Sequence, residues 1–169
     1  MTQAAIGGPS PAKAYTSAEV YTEGKGFSLG ERITDQNGYD WIFVKAGSAV
    51  AQYKVTGVEV SGTAAPLTSA MGAGAVGVLA IGVMASASLS AGEYGWVMTK
   101  GTAKVKVIAS ATGTITGILY AAASAAGNGD VTMTASGAVA IAGLYAVATA
   151  TTSTTASAVP VVFDGITVA

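Results

Sequence analysis

FSLGERITDQNGYDWIFVK, residues 27–45, places two runs of strand-forming residues on either side of Gln36-Asn37-Gly38. Asn-Gly is the strongest short-range hairpin signal, because both residues tolerate positive φ. The spacing predicts strands over 27–35 and 39–45. Strand side chains alternate, so Tyr39, Trp41 and Phe43 share one face of the second strand while Asp40, Ile42 and Val44 take the other. A third strand over 49–60 (AVAQYKVTGVEV), after the turn Ala46-Gly47-Ser48, completes a meander.

Downstream of this meander the composition changes. Residues 1–60 hold eleven of the seventeen charged residues, whereas residues 61–169 hold six and are dominated by Ala, Gly, Thr, Ser and Val. Amphipathic helices need a polar face, usually of long charged side chains, and this second segment has almost none. Four glycines between residues 71 and 84 would cost a helix about 4 kcal/mol relative to alanine. Strands are therefore expected at 76–85, 93–99, 102–109, 114–122, 131–135, 138–148 and 158–168, with Lys100-Gly101 and Asn128-Gly129-Asp130 separating some of them. In 102–109, Lys104 and Lys106 point one way and Val105 and Val107 the other, the pattern of a half-buried strand. Pro160 is expected at an edge or a strand start. Thr116-Gly117-Ile118-Leu119-Tyr120-Ala121 is echoed by Ala142-Gly143-Leu144-Tyr145-Ala146, which reads as two equivalent strands on one core. The class is all-β.

Upstream, Pro9 and Pro11 favour extended backbone and Gly7, Gly8, Gly24 and Gly26 loosen it. Residues 1–26 thus read as an extended arm, and residues 27–169 as a single β domain. No basic start followed by an apolar run marks a secretory signal. The apolar stretch at about 70–87 is diluted by Gly and Ser and is framed by neither Lys/Arg nor an aromatic belt, so no membrane partner is expected.

Composition narrows the chemistry. With no cysteine and no histidine, thiol chemistry, disulfides and the commonest zinc ligands and general base are excluded. Charged residues make up 10% of the chain, against about 25% in an average domain. The eight Lys and Arg residues are dispersed among nine carboxylates for a net charge of −1, which argues against a nucleic-acid partner. Near-zero charge also favours association over dispersal.

Gly72-Ala73-Gly74-Ala75-Val76-Gly77 matches a dinucleotide fingerprint by letter, but it lacks the preceding strand and the acidic residue that closes a βαβ unit. Asp35, Asn37 and Asp40 resemble part of a calcium loop without its last ligand, and an Asx-stabilised hairpin is the better reading. The carboxylate pairs Glu19/Glu23 and Glu31/Asp35 lie in an arm or an exposed strand, where nothing separates their pKa values. With no nucleophile singled out, an enzyme is not expected, and no cofactor and no metal is assigned. Trp41 and Trp96 are read as core anchors or subunit-interface hot spots.

FSLGERITDQNGYDWIFVKAGSAVAQY (27–53), SLSAGEYGWVMTKGTAKVKV (88–107) and the terminal AVPVVFDGITVA (158–169) together resemble head-decoration, or cement, proteins of tailed bacteriophages. The resemblance covers most of the chain from Phe27 onward, in pattern and not in a short motif. It implies an antiparallel barrel or jelly-roll-like sandwich and a homotrimer on the capsid exterior. The major capsid protein would be the partner and the virion the location, after synthesis in the host cytoplasm. Lys13, Tyr15, Tyr21 and Lys25, which combine apolar area with charge in the arm, are the candidate capsid contacts. A tail-fibre, receptor-binding or adhesin-like β module is the alternative.

On this reading, NAD, ATP or calcium at saturating concentration leaves the melting temperature unchanged. A shift of several degrees in a thermal melt would reveal a native-state ligand instead.

Overall fold

The computed structural model describes residues 12–21, 27–68, 77–85, 87–107, 117–121, 129–132, 139–146 and 157–164. Among these described residues, one five-residue helix, α1 (Ser17–Tyr21), precedes ten strands. These are β1 (Arg32–Thr34), β2 (Asp40–Ala46), β3 (Val55–Glu59), β4 (Thr63–Pro66), β5 (Val78–Val83), β6 (Tyr94–Val107), β7 (Gly117–Ala121), β8 (Val131–Thr132), β9 (Val139–Ala146) and β10 (Ser157–Asp164).

The predicted hairpin forms between β1 and β2, with Thr34 opposite Asp40. Its loop is longer than a two-residue Asn-Gly turn, and only Gly38 takes positive φ, at 77°. Asp35 fastens it. Its Oδ1 accepts from the backbone N–H of Asn37 at 2.8 Å and of Tyr39 at 3.1 Å, and its Oδ2 accepts from Trp41 Nε1 at 3.1 Å. The carboxylate suggestive of calcium therefore serves an Asx turn.

β2 runs parallel to β4, β4 pairs antiparallel with β3, β3 with β5, β5 with β6, and β6 returns to β2. The five strands close a barrel. Each contributes to one buried cluster, through Ile42, Val44 and Ala46 from β2, Val58 from β3, Ala64 from β4, Ala80 from β5 and Val97 from β6. Val50, Met84 and Leu89 complete this cluster from the connecting loops. Small barrels are filled by their own side chains, and this one is narrow enough to select Ala and Gly. A Cβ at Gly95 would stand 2.7 Å from the Leu89 side chain. At Gly95 the small residue is thus a packing requirement.

The remaining strands repeat the scheme. β6 runs parallel to β8 through Val107 and Val131, β8 pairs antiparallel with β7, β7 with β9, β9 with β10, and β10 returns to β6. This second ring has the connectivity of the first, with the second half of β6 standing where β2 stood. Strand starts at 55, 63, 78 and 94 correspond to 117, 131, 139 and 157, offsets of 62, 68, 61 and 63 residues. The short echo seen in the sequence instead joins β7 and β9, which are neighbours within one ring. Pro160 pairs with Lys104 of β6, just before β9 joins β10 at Val161. There β6 is β10's only partner among the described residues.

Three expectations change. Lys100-Gly101 does not separate two strands, because β6 runs through it and Gly101 absorbs the change of direction with φ 134°. The strand expected over 49–60 begins only at Val55, because Tyr53 takes φ 67° and breaks the extended run, and it pairs with β4 and β5 instead of β2, so the expected meander does not form. β4 was missed because Thr-Ala-Ala-Pro carries neither alternation nor a β-branched run. The extended arm is also not what the described N-terminal residues form. Tyr15 bridges Tyr94 in both directions at 2.8 Å and is 3% exposed, so residues 12–21 lie against the barrel. No helix among the described residues is long and apolar enough to cross a membrane. Apart from Gly77, the glycine motif at 72–77 lies outside the described residues.

Gly101→Ala places a Cβ 2.6 Å from the Tyr39 ring on a left-handed backbone, and should cost on the order of 2–4 kcal/mol. Gly38→Ala, which meets open space, should cost about 1 kcal/mol. Urea denaturation of both variants checks the order.

Candidate functional site

Outside the first barrel, β2 and β6 present the opposite side-chain set. Trp41 and Phe43 from β2 lie beside Tyr94, Trp96 and Met98 from β6, because Phe43 registers with Trp96 and Trp41 with Met98. Phe43 and Trp96 have ring centroids 5.1 Å apart, and Phe43 stacks on Tyr94 at 6.1 Å. Phe27 closes over them, edge-on to Trp96 at 5.2 Å. Each such ring pair contributes about 0.5–1.5 kcal/mol beyond the area it buries. The same cluster extends through Val55, Ile81 and Val83 to Val105, Val107, Val131 and Leu144 of the second ring, so one core serves both.

The segment carrying the candidate contacts covers this stripe. Tyr15 and Val20 belong to the buried cluster. Thr16 and Glu19 form a capping box at the start of α1. The Thr16 N–H donates to Glu19 Oε2 at 2.7 Å, and the Glu19 N–H donates to Thr16 Oγ1 at 3.3 Å. Lys13 pairs with Glu19 and lies over the Tyr15 ring, 5.0 Å from its centroid. The hydrogen bond from Lys13, followed by those from Thr16, holds the Glu19 carboxyl down at about 2. Tyr21 is 70% exposed, meets the Tyr94 ring edge-on at 5.8 Å and accepts from its hydroxyl at 3.2 Å.

Of the four candidate contacts, then, Tyr15 is buried in the cluster outside the first barrel, and Lys13 and Tyr21 are exposed. Lys25 lies outside the described residues. Trp41 and Trp96 both sit in the core, and the indole N–H of Trp96 has no hydrogen-bond partner among the described residues. The heptad-free stretch around Thr16-Ser17-Ala18-Glu19 does carry a helix-start signal, Thr-x-x-Glu, which could have located α1.

One further feature lay beyond the sequence reading, and one, the lysine face of β6, was expected from it. Lys54 and Asp130, 76 residues apart, form a largely buried ion pair where the rings meet. Around it, Val55 N–H donates to Gly129 O at 2.7 Å, Gly129 N–H to Leu67 O at 2.8 Å and Lys106 N–H to Tyr53 O at 2.8 Å. Lys100, Thr102, Lys104 and Lys106 lie on one face of β6, and all but the half-buried Lys106 are exposed. Thr102 Oγ1 is hydrogen-bonded to the Tyr39 hydroxyl at 2.7 Å. No group of three or more acidic residues among the described residues is arranged to hold a metal.

No family model matches the chain, and no curated protein matches it either.

The Glu19 geometry makes a pH prediction. Its folded pKa lies below the ordinary carboxylate value of 4.5, so the stabilisation is present above about pH 4.5 and is lost as pH falls toward 2. Glu19→Gln should lower the melting temperature at pH 7 and match the parent at pH 2, as a thermal melt series would show.

Proposed function

We propose that this chain is a structural virion protein that binds the outside of a phage capsid as an oligomer, most simply a homotrimer, and stiffens the shell. The observation that carries the reading is where the described polar side chains go. Asp35 ties a hairpin, Glu19 caps α1, Glu93 accepts from the Ser90 N–H at 2.6 Å and Asp130 holds Lys54. These groups brace loops and junctions, and that is the pattern of a scaffold. A rigid, charge-poor double barrel suits a protein that must stay in place among partners. The resemblance of residues 27–53 and 88–107 to head-decoration proteins supports the same reading.

The covering segment modifies the docking scheme. With Tyr15 in the core, capsid contact from the described part of this segment falls to Lys13 and Tyr21. Trp41 and Trp96 serve the barrel and not an interface. One observation favours the alternative of a fibre-like or adhesin-like module: the repeated ring, since surface β proteins commonly lengthen by repetition.

The experiment is to mix purified protein with undecorated heads and measure both co-sedimentation and the temperature at which the heads release DNA. Binding that raises the release temperature is expected. Tyr21→Ala with Lys13→Ala should weaken it at least tenfold without changing the circular dichroism spectrum. Heads that neither bind nor gain resistance, with the protein found instead on tails or host cells, would select the alternative.

A further inference from the structure

Two exposed surfaces of opposite charge lie on different strands. One is the β3–β4 turn, where Gly62 N–H donates to Glu59 O at 2.9 Å. Glu59 is exposed there, Val60 is 73% exposed, and Leu29, 39% exposed, adjoins Gly62, at which a Cβ would lie 2.6 Å from that of Leu29. Leu29 and Val60 are two of the three exposed large hydrophobic residues among the described ones. The other, on the second half of β6, carries Lys104 and Lys106. Their cross-strand positions on β10 are Pro160 and Ala158, both uncharged, so the register sets no carboxylate opposite either.

We infer that the acidic, apolar tip formed by Glu59, Val60 and Leu29 docks on the Lys104–Lys106 face of a second copy of this chain. Charge complementarity selects the occupant. Two lysines on one strand face, with no acid opposite them in the described β10 register, favour an anionic partner, and the exposed Glu59 carboxylate beside Val60, which accepts from Ser61 Oγ at 3.4 Å, supplies it. Two different surfaces meeting in this way make a head-to-tail contact, which closes into a ring when the rotation allows. Exposed ion pairs contribute little alone. Ring closure makes each further contact intramolecular, so modest contacts suffice together. The inference rests on the oligomer proposed above and assigns its interface.

Sedimentation velocity on the full chain, without heads, tests it. Lys104→Glu with Lys106→Glu should weaken self-association at least tenfold, and Glu59→Lys should do the same. All three reversals in one chain should restore the oligomer, and raised salt should weaken the wild type and the restored variant alike. Unchanged oligomers in the single-surface reversals, no recovery in the triple variant, or a wild-type monomer at 100 micromolar, roughly the concentration at which weak contacts fill, would each overturn it. Val60→Asp provides a reversal-free check, since it should weaken assembly with circular dichroism unchanged. An intact oligomer that fails to bind heads overturns the capsid reading alone. A Lys104/Lys106 reversal that still assembles and still binds heads overturns this contact alone.

Discussion

Backbone hydrogen bonds along both edges of β6 hold the molecule together, and everything else is arranged to keep that strand continuous for fourteen residues. Its odd-numbered residues face inward along its length, with Val97 in the first barrel and Val105 and Val107 toward the second ring. Its even-numbered residues carry Tyr94, Trp96 and Met98 under the N-terminal cover and then emerge as Lys100, Thr102, Lys104 and Lys106. Gly101 stands at the change from covered to open, with the Tyr39 ring lying where a Cβ would be. An aromatic side chain laid over a strand glycine restores the apolar cover that the glycine lacks.

The joint between the rings reinforces this continuity. Tyr53 accepts from the Lys106 N–H in an unfavourable left-handed backbone, and the turn at Gly129 hydrogen-bonds to both Val55 and Leu67. A buried ion pair broken on one side leaves an uncompensated charge, a loss of about 3–5 kcal/mol. Lys54 and Asp130 thus make separation of the rings costly, while the shared core from Trp41 to Leu144 makes it costlier. The N-terminal segment belongs to the same economy of surfaces, because without Tyr15 and Val20 the aromatic stripe would meet water.

The class and most of the strands were legible because alternation survives in strands with one wet face, as in Lys104 to Val107 of β6. Hairpin geometry at Asp35–Gly38 was legible because side-chain-to-backbone bonding is local. What stayed hidden was non-local. The doubled ring leaves almost no mark in the sequence, since small barrels accept any small apolar residue at an inward position. β6 looked like two strands because Gly101 is equally at home in a turn. Residues 12–21 looked like an arm because burial of Tyr15 depends on an aromatic stripe more than seventy residues away.

Sharing a strand between two rings also sets how the molecule carries load. Two barrels joined by a linker or a surface contact would separate under tension at that joint, where only weak non-covalent bonds resist. Here the covalent backbone of β6 crosses the joint, flanked by the β2 and β10 ladders loaded along their strand directions. Pulled lengthwise, such ladders must shear many hydrogen bonds at once instead of opening one after another. The protein is therefore stiffest along β6, and a row of copies aligned along that strand would inherit its stiffness.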